Sequence, residues 1–272
     1  MNRIDKKFNE LKSHNQKGLI VYIGAGDPDL EHTEKLAVAF DKIGVDILEL
    51  GVPFSDPLAD GLVNQLAAQR GLQSGTTPAG VLKTVEQIRK SSQIPIVLYI
   101  YYNLILRYGL EKFIDDAARS GVDGFLVLDL PPDEANEYQK LMKNAGLVPI
   151  YLVAPTTPEE RIKFIVSHAS GFVYYVSREG VTGMRSGVPE SLPTMVSKIK
   201  KYTALPVAVG FGISTPEQAK TVANYADAVV VGSAVVDRIG RLGRTDGMVE
   251  QVSDFLKSLV DAIKNTTHYE NR

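Results

Sequence analysis

The chain has 272 residues, 44% of them hydrophobic and 23% charged, which is enough to bury a full-sized core and matches the length of one α/β barrel. A formal net charge of −2 and an isoelectric point near 6.1 give no electrostatic case for nucleic acid or an anionic membrane as the main partner. The absence of cysteine excludes disulfides, thiolate catalysis and thiolate metal sites, and no apolar run approaches a membrane span.

Residues 1–12 form a charged amphipathic pattern with Ile4, Phe8 and Leu11 on one face, which reads as a helix and not as a signal peptide; a cytoplasmic setting is expected. Short apolar runs bounded by Gly or Pro follow at 19–24, 47–51, 96–101, 125–128, 149–153, 172–176, 206–210 and 228–232 and predict strands. Segments of helical period lie between them, at 31–43, 78–90, 110–120, 133–145, 158–167, 189–202, 215–225 and 249–264, with an extra helical stretch near 63–72. Thr157-Pro158-Glu159-Glu160 and Ser214-Thr215-Pro216-Glu217 read as helix starts, with Pro in the first turn and acids complementing the helix dipole. Eight strands, each followed by a helix, predict one α/β domain over 1–272, a closed (β/α)8 TIM barrel with an extra N-terminal helix. An open doubly wound sheet is the structural alternative.

Chemistry in a barrel belongs at the carboxyl ends of the strands. Glu49 lies inside the apolar strand 47–51, where a solvated face explains it poorly. Burying a carboxylate without a partner costs several kcal/mol or raises its pKa until it takes up a proton, and a raised pKa is what a proton-transfer group working near neutral pH needs. The loop from Gly51 to Gly61 is rich in Gly, Pro and Asp with an apolar tip at Phe54 and Leu58, and Asp60 can return toward the strand end. Glu49 and Asp60 are therefore the candidate catalytic acids; the plainer alternatives are a structural ion pair for Glu49 and a turn or cap role for Asp60.

The sixth, seventh and eighth strands leave through glycines at 180 and 183, 210 and 212, and 232, and Ser233 begins a short helix. Bare backbone N–H groups at neighbouring exits, with a helix N-terminus, suit a phosphate without Lys or Arg, although any one glycine alone reads as a turn former. Tyr22, Tyr99, Leu126, Val127, Tyr174 and Phe211 are expected to line the mouth for a flat apolar group, each alone being compatible with ordinary barrel core. His14, His32, His168 and His268 fall away from strand exits, so no metal site and no histidine base is expected. A different phosphosugar isomerase or epimerase barrel would require such a set, and a non-catalytic activating barrel would be expected to have lost Glu49 or Asp60.

Over nearly its whole length the sequence resembles the tryptophan synthase alpha subunit family. The resemblance rests on Gly26-Asp27-Pro28, the stretch from Leu48 through Gly61, Tyr101 with Asn103, Gly180 to Gly183, and Pro206 to Ser214. It implies cleavage of indole-3-glycerol phosphate to indole and D-glyceraldehyde 3-phosphate in L-tryptophan biosynthesis, with no cofactor in this chain. It also implies a pyridoxal-phosphate beta subunit as partner in an alpha2beta2 heterotetramer, a stand-alone lyase releasing free indole being the alternative. By the same resemblance Glu49 and Asp60 are the acids, Tyr22, Tyr101, Tyr174 and Phe211 bind substrate, and Gly183, Gly212, Gly232 and Ser233 hold phosphate. The chain departs from the family pattern at Gly24, Leu62, Asn64 and Tyr102. The glycine-rich segment 177–189 is expected to act as a lid that brings Thr182 to Asp60, and the apolar loop tips at Pro53-Phe54, Tyr101-Tyr102 and Pro131-Pro132 are expected to meet the partner.

Overall fold

The computed structural model describes residues 1–176, 189–210 and 212–264. Its eight parallel strands close into a barrel in chain order: β1 (Gly18–Gly24), β2 (Ile47–Gly51), β3 (Ile96–Ile100), β4 (Gly124–Val127), β5 (Val148–Val153), β6 (Val173–Val176), β7 (Val207–Gly210) and β8 (Ala228–Val231), with β8 pairing back to β1. The open doubly wound alternative is thereby excluded. The helices are α1 (Arg3–Ser13), α2 (Leu30–Ile43), α3 (Leu62–Gln73), α4 (Pro78–Arg89), α5 (Tyr102–Tyr108), α6 (Leu110–Ser120), α7 (Asn136–Asn144), α8 (Glu159–His168), α9 (Leu192–Lys200), α10 (Pro216–Ala223), α11 (Ser233–Leu242) and α12 (Met248–Lys264).

Strand alternation sorts the apolar residues into two cores. Leu19, Val21, Leu48, Leu50, Leu98, Phe125, Val173 and Val209 point outward and pack under the helices, while Ile20, Ile47, Val97, Leu126, Ile150, Phe172, Ala208 and Val230 fill the barrel. Val127 belongs to the outer set and does not line the mouth: its neighbour Leu126 points in, and a period of two cannot turn both inward.

The amphipathic face read at the N-terminus closes the barrel from below. Ile4, Phe8 and Leu11 of α1 are buried in the inner cluster, with Phe8 lying 5.7 Å from Phe172. Asn2 caps α1 by accepting from the Ile4 N–H at 2.9 Å, and its amide donates to the carbonyls of Asp123 and Gly146 at 2.8 and 3.0 Å. On the same rim three aspartates repeat one device. Asp46, Asp123 and Asp227 stand just before β2, β4 and β8, and each accepts a backbone N–H from the start of another strand: Leu19 at 2.8 Å, Ile96 at 2.8 Å and Val207 at 2.9 Å. Lys264, Arg89 with Arg3, and Lys200 supply their counter-charges.

Three local expectations are corrected. The helix read over 133–145 is a 3-10 turn at Pro132–Glu134 followed by α7, since two prolines at its entrance favour the tighter turn. Thr157 does not cap α8; its hydroxyl accepts from the Ala154 N–H at 3.0 Å, and Pro158 takes the cap position. The seven-residue α5, unread in the sequence, starts directly after β3. Thr215 does cap α10, accepting from the Gln218 N–H.

If α1 is a plug and not an appendage, Phe8→Ala should lower unfolding stability in urea by about 3–5 kcal/mol, the usual cost of truncating a buried phenylalanine. An unchanged midpoint and slope would mean that the barrel floor holds without it.

Candidate active site

Glu49 is the middle residue of β2 and pairs in register with Tyr22 on one side and Val97 on the other, so its side chain enters the barrel between inward residues. It is 1% exposed, and its Oε1 has no hydrogen-bond partner. Burial alone pushes its pKa up to about 8. A structural ion pair would act in the opposite direction, so that explanation of Glu49 fails.

Asp60 returns to the barrel mouth through a tight turn in which its N–H donates to the Pro57 carbonyl at 3.0 Å, just before Gly61 caps α3. Its side chain is only 7% exposed, in line with the expected return toward the strand end. Oδ1 accepts from the Tyr99 hydroxyl at 2.7 Å and Oδ2 from the Tyr101 hydroxyl at 2.9 Å. Tyr101 is itself tied to the same loop, accepting from the Ala59 N–H at 2.9 Å. Burial raises the pKa of Asp60, while Tyr99, Tyr101 and the Asn64 side chain act against that rise by favouring the charged form.

The aromatic residues connect the two acids. Tyr22 and Tyr99 meet edge to face at 4.8 Å, and Phe54 lies 5.1 Å from Tyr101. Tyr22 is affected by the charges of both Asp60 and Glu49, and Tyr174 by that of Glu49, so burial and these carboxyls hold both phenols well above their ordinary pKa. A side chain at Gly51 would place its Cβ 2.4 Å from the Tyr22 hydroxyl; only glycine lets Tyr22 lie across the end of β2. A cleft lined by Tyr22, Gly51, Phe54, Asp60, Tyr99 and Tyr101 opens at this point.

On the other side of Tyr22, Gly232 caps α11 without a side-chain cap and Ser233 is the first helical residue, which leaves a helix N-terminus with its dipole directed at the mouth. α11 runs for ten residues, longer than the short helix expected. Gly212 is left-handed, with φ at +84°, at the exit of β7. Val236 of α11 packs with Tyr22 and with Ala67 of α3, so the helix terminus and the aromatic cleft share one wall. Thr182, Gly183 and Phe211, with 177–188 of the expected lid, lie outside the described residues.

Two contributors were missed in the sequence. Tyr99 was read only as mouth lining, although its spacing of two from Tyr101 puts both phenols on related positions near one acid. Arg70 forms a two-pronged ion pair with buried Asp27, at 2.7 and 2.8 Å, tying α3 to the loop after β1; a lone Arg in a helix gave no signal.

The tryptophan synthase alpha chain family model matches residues 8–267. The chain belongs to this family. It is 49% identical to the tryptophan synthase alpha chain of Geobacter sulfurreducens over 265 residues, covering 97% of this chain and all of that one. It is 48% identical to that of Geotalea daltonii over 264 residues, covering 97% and 98%. Among solved structures, tryptophan synthase subunit alpha from Legionella pneumophila superposes with a TM-score of 0.88 at 40% identity, covering 97% of this chain and 99% of that one. A chain of tryptophan synthase from Mycobacterium tuberculosis, in an aminoacrylate-bound form, gives 0.87 at 32% identity, covering 97% and 100%. The family is the lyase subunit that cleaves indole-3-glycerol phosphate.

The raised pKa of Glu49 has a consequence for stability. Its ordinary value is 4.5 and its folded value about 8, so the folded chain holds one more proton than the unfolded chain between those limits. The stability this provides is complete below the lower value and is lost as pH rises through the upper one. Between about pH 5.5 and about pH 8.5 the wild type should therefore lose roughly 3 kcal/mol more than Glu49→Gln in urea unfolding. Parallel pH dependences for the two proteins would show that Glu49 is ionised in the folded chain.

Proposed function

We propose that this chain, as a single barrel domain over 1–272 in a cytoplasmic setting, cleaves indole-3-glycerol phosphate to indole and D-glyceraldehyde 3-phosphate through Glu49 and Asp60. The observation that carries these roles is the contrast between a dry, unpartnered carboxyl on β2 and a second carboxyl held by phenols at the same mouth. With a pKa of about 8, Glu49 carries a proton near neutral pH. It gives that proton to the indole carbon bearing the side chain, which places positive charge on the ring nitrogen. The carbon–carbon bond then breaks toward the ring as the glycerol hydroxyl loses its proton to Glu49, which ends as it began. Asp60, charged and held in place, stabilises the ring N–H while that charge exists.

Tyr22, Tyr101, Tyr174 and Phe211 flank the indole. Gly183, Gly212, Gly232 and Ser233 bind the phosphate through backbone N–H groups and the α11 dipole, with Thr182 joining the acid side. Fixing the phosphate at the far end orients the reacting carbon. The step needs no cofactor from this chain; pyridoxal phosphate is expected only in a beta subunit, which would complete an alpha2beta2 heterotetramer. Support for that partner comes from the exposed leucines on the β2–α3 loop and on α3 and α5: Leu58 is 92% exposed, Leu62 70% and Leu106 52%.

Indole release by the purified chain tests the reaction. Glu49→Gln should lose at least ~10²-fold in turnover, because the amide keeps the shape and cannot shuttle a proton, and Asp60→Asn should be strongly impaired. Wild-type turnover in either variant removes that residue from the mechanism. Added beta subunit should raise the rate, and a rate indifferent to it would favour the stand-alone lyase.

The phosphate assignment is tested separately. Gly212→Val forces a branched side chain onto a left-handed residue and crowds the anion, so KM for the phosphorylated substrate should rise at least ~10-fold. The dephospho substrate, weakly bound by wild type, should be little affected. Equal damage to both substrates would locate the fault in folding.

A further inference from the structure

We propose that Tyr99 and Asn64 are positioning residues that act through Asp60, fixing the orientation of its carboxylate before substrate arrives. The inference rests on the role given to Asp60 above and adds two residues to it. A carboxylate held through one oxygen can still rotate; Asp60 is held through both, by Tyr99 at 2.7 Å and Tyr101 at 2.9 Å. Each oxygen keeps a second lone pair for a substrate N–H.

Tyr99 is placed by more than this bond. Its ring meets Tyr22 at 4.8 Å and packs against the cluster formed by Tyr22, Ala67 and Val236. Packing alone would be served by phenylalanine, and a phenol hydroxyl taken out of water is unfavourable unless bonded. Asp60 is the acceptor that accounts for the hydroxyl.

Asn64 supplies an independent observation. It stands in the first turn of α3, four residues after Asp60, and its side chain favours the charged form of Asp60. Its Oδ1 is buried without a partner. An aliphatic side chain would leave no such orphan, so a carboxamide here has a cost that its interaction with Asp60 offsets. The groups facing Asp60 are Tyr22 from β1, Tyr99 and Tyr101 from β3 and its exit, and Asn64 from α3, with Glu49 of β2 acting on the same Tyr22. These neighbours are neutral apart from the carboxyls, so the orientation and charge of Asp60 depend on hydrogen-bond donors and not on an ion pair.

The test is kcat and KM for indole-3-glycerol phosphate across pH, in wild type, Tyr99→Phe, Asn64→Leu and Asp60→Asn, with unfolding midpoints recorded for each. Phe keeps the ring of Tyr99 and Leu keeps the branched shape of the half-buried Asn64, so Tyr99→Phe and Asn64→Leu should stay folded. Each should lower kcat about tenfold with KM changed less than about twofold, the pattern expected when a hydrogen bond to a charged group is lost from an acid that acts in the transition state. The acid limb of kcat should move to higher pH in both, because the donors that favour ionised Asp60 are gone. A role in packing alone would leave that limb unmoved. Wild-type kcat and an unshifted acid limb in Tyr99→Phe and Asn64→Leu, with Asp60→Asn inactive, would overturn the proposal and leave the role of Asp60 standing. Wild-type activity in Asp60→Asn would overturn both.

Discussion

A carboxyl group left without a partner inside a closed apolar barrel is the constraint from which the chemistry follows. Among the described residues the other acids most fully buried have been met: Asp27 by Arg70, Asp46 by Lys264, Asp123 by Arg3 and Arg89, and Asp60 by two phenols. Burial raises each of these pKa values, and in each case the partners act against it. For Glu49 nothing does. The fold maintains that condition from below, because Ile4, Phe8 and Leu11 of α1 pack into the inner cluster at the strand starts. A barrel open at both ends would hydrate Glu49 and return it toward the ordinary carboxylate range, where it would carry no proton near neutral pH.

α3 connects this site to α11. The Asn64 side chain favours the charged form of Asp60, Ala67 packs with Tyr22, and Arg70 holds Asp27. A Cβ at Gly240 would lie 2.7 Å from the Arg70 guanidinium, so α11 comes directly against the same side chain. The helix that carries Asn64 is therefore also the one against which α11 rests. A change in α3 that leaves both acids in the chain can still disturb their spacing from the N-terminus of α11.

Much of this was legible in the sequence for physical reasons. Parallel strands covered on both faces read as continuous apolar runs, and 47–51 was recovered to the residue. Glu49 stood out because nothing in such a run explains a charge. α5 was not legible: seven residues are too short to display a helical period, and Tyr101-Tyr102 reads as a continuation of the strand. Val127 was misassigned because apolarity alone does not say which face of a strand a residue takes. The interactions of Asp60 with Tyr99 and Tyr101 span 39 and 41 residues along the chain, and no local pattern reports contacts at that separation.

The same residue type does opposite work at the two ends of the barrel. On the lower rim Asp46, Asp123 and Asp227 each combine a strand N–H with a lysine or arginine, an arrangement that fixes strand ends and neutralises the acid. At the mouth Asp60 is met by neutral donors. A cation there would favour ionisation more strongly than any phenol, but its own field would offset that of the carboxylate at the ring nitrogen. Phenols orient the carboxylate and favour its charged form without cancelling its charge. For an acid proposed to stabilise positive charge that appears only as a reaction proceeds, hydrogen-bond donors without net charge are the better support, since they leave the full negative charge directed at the substrate.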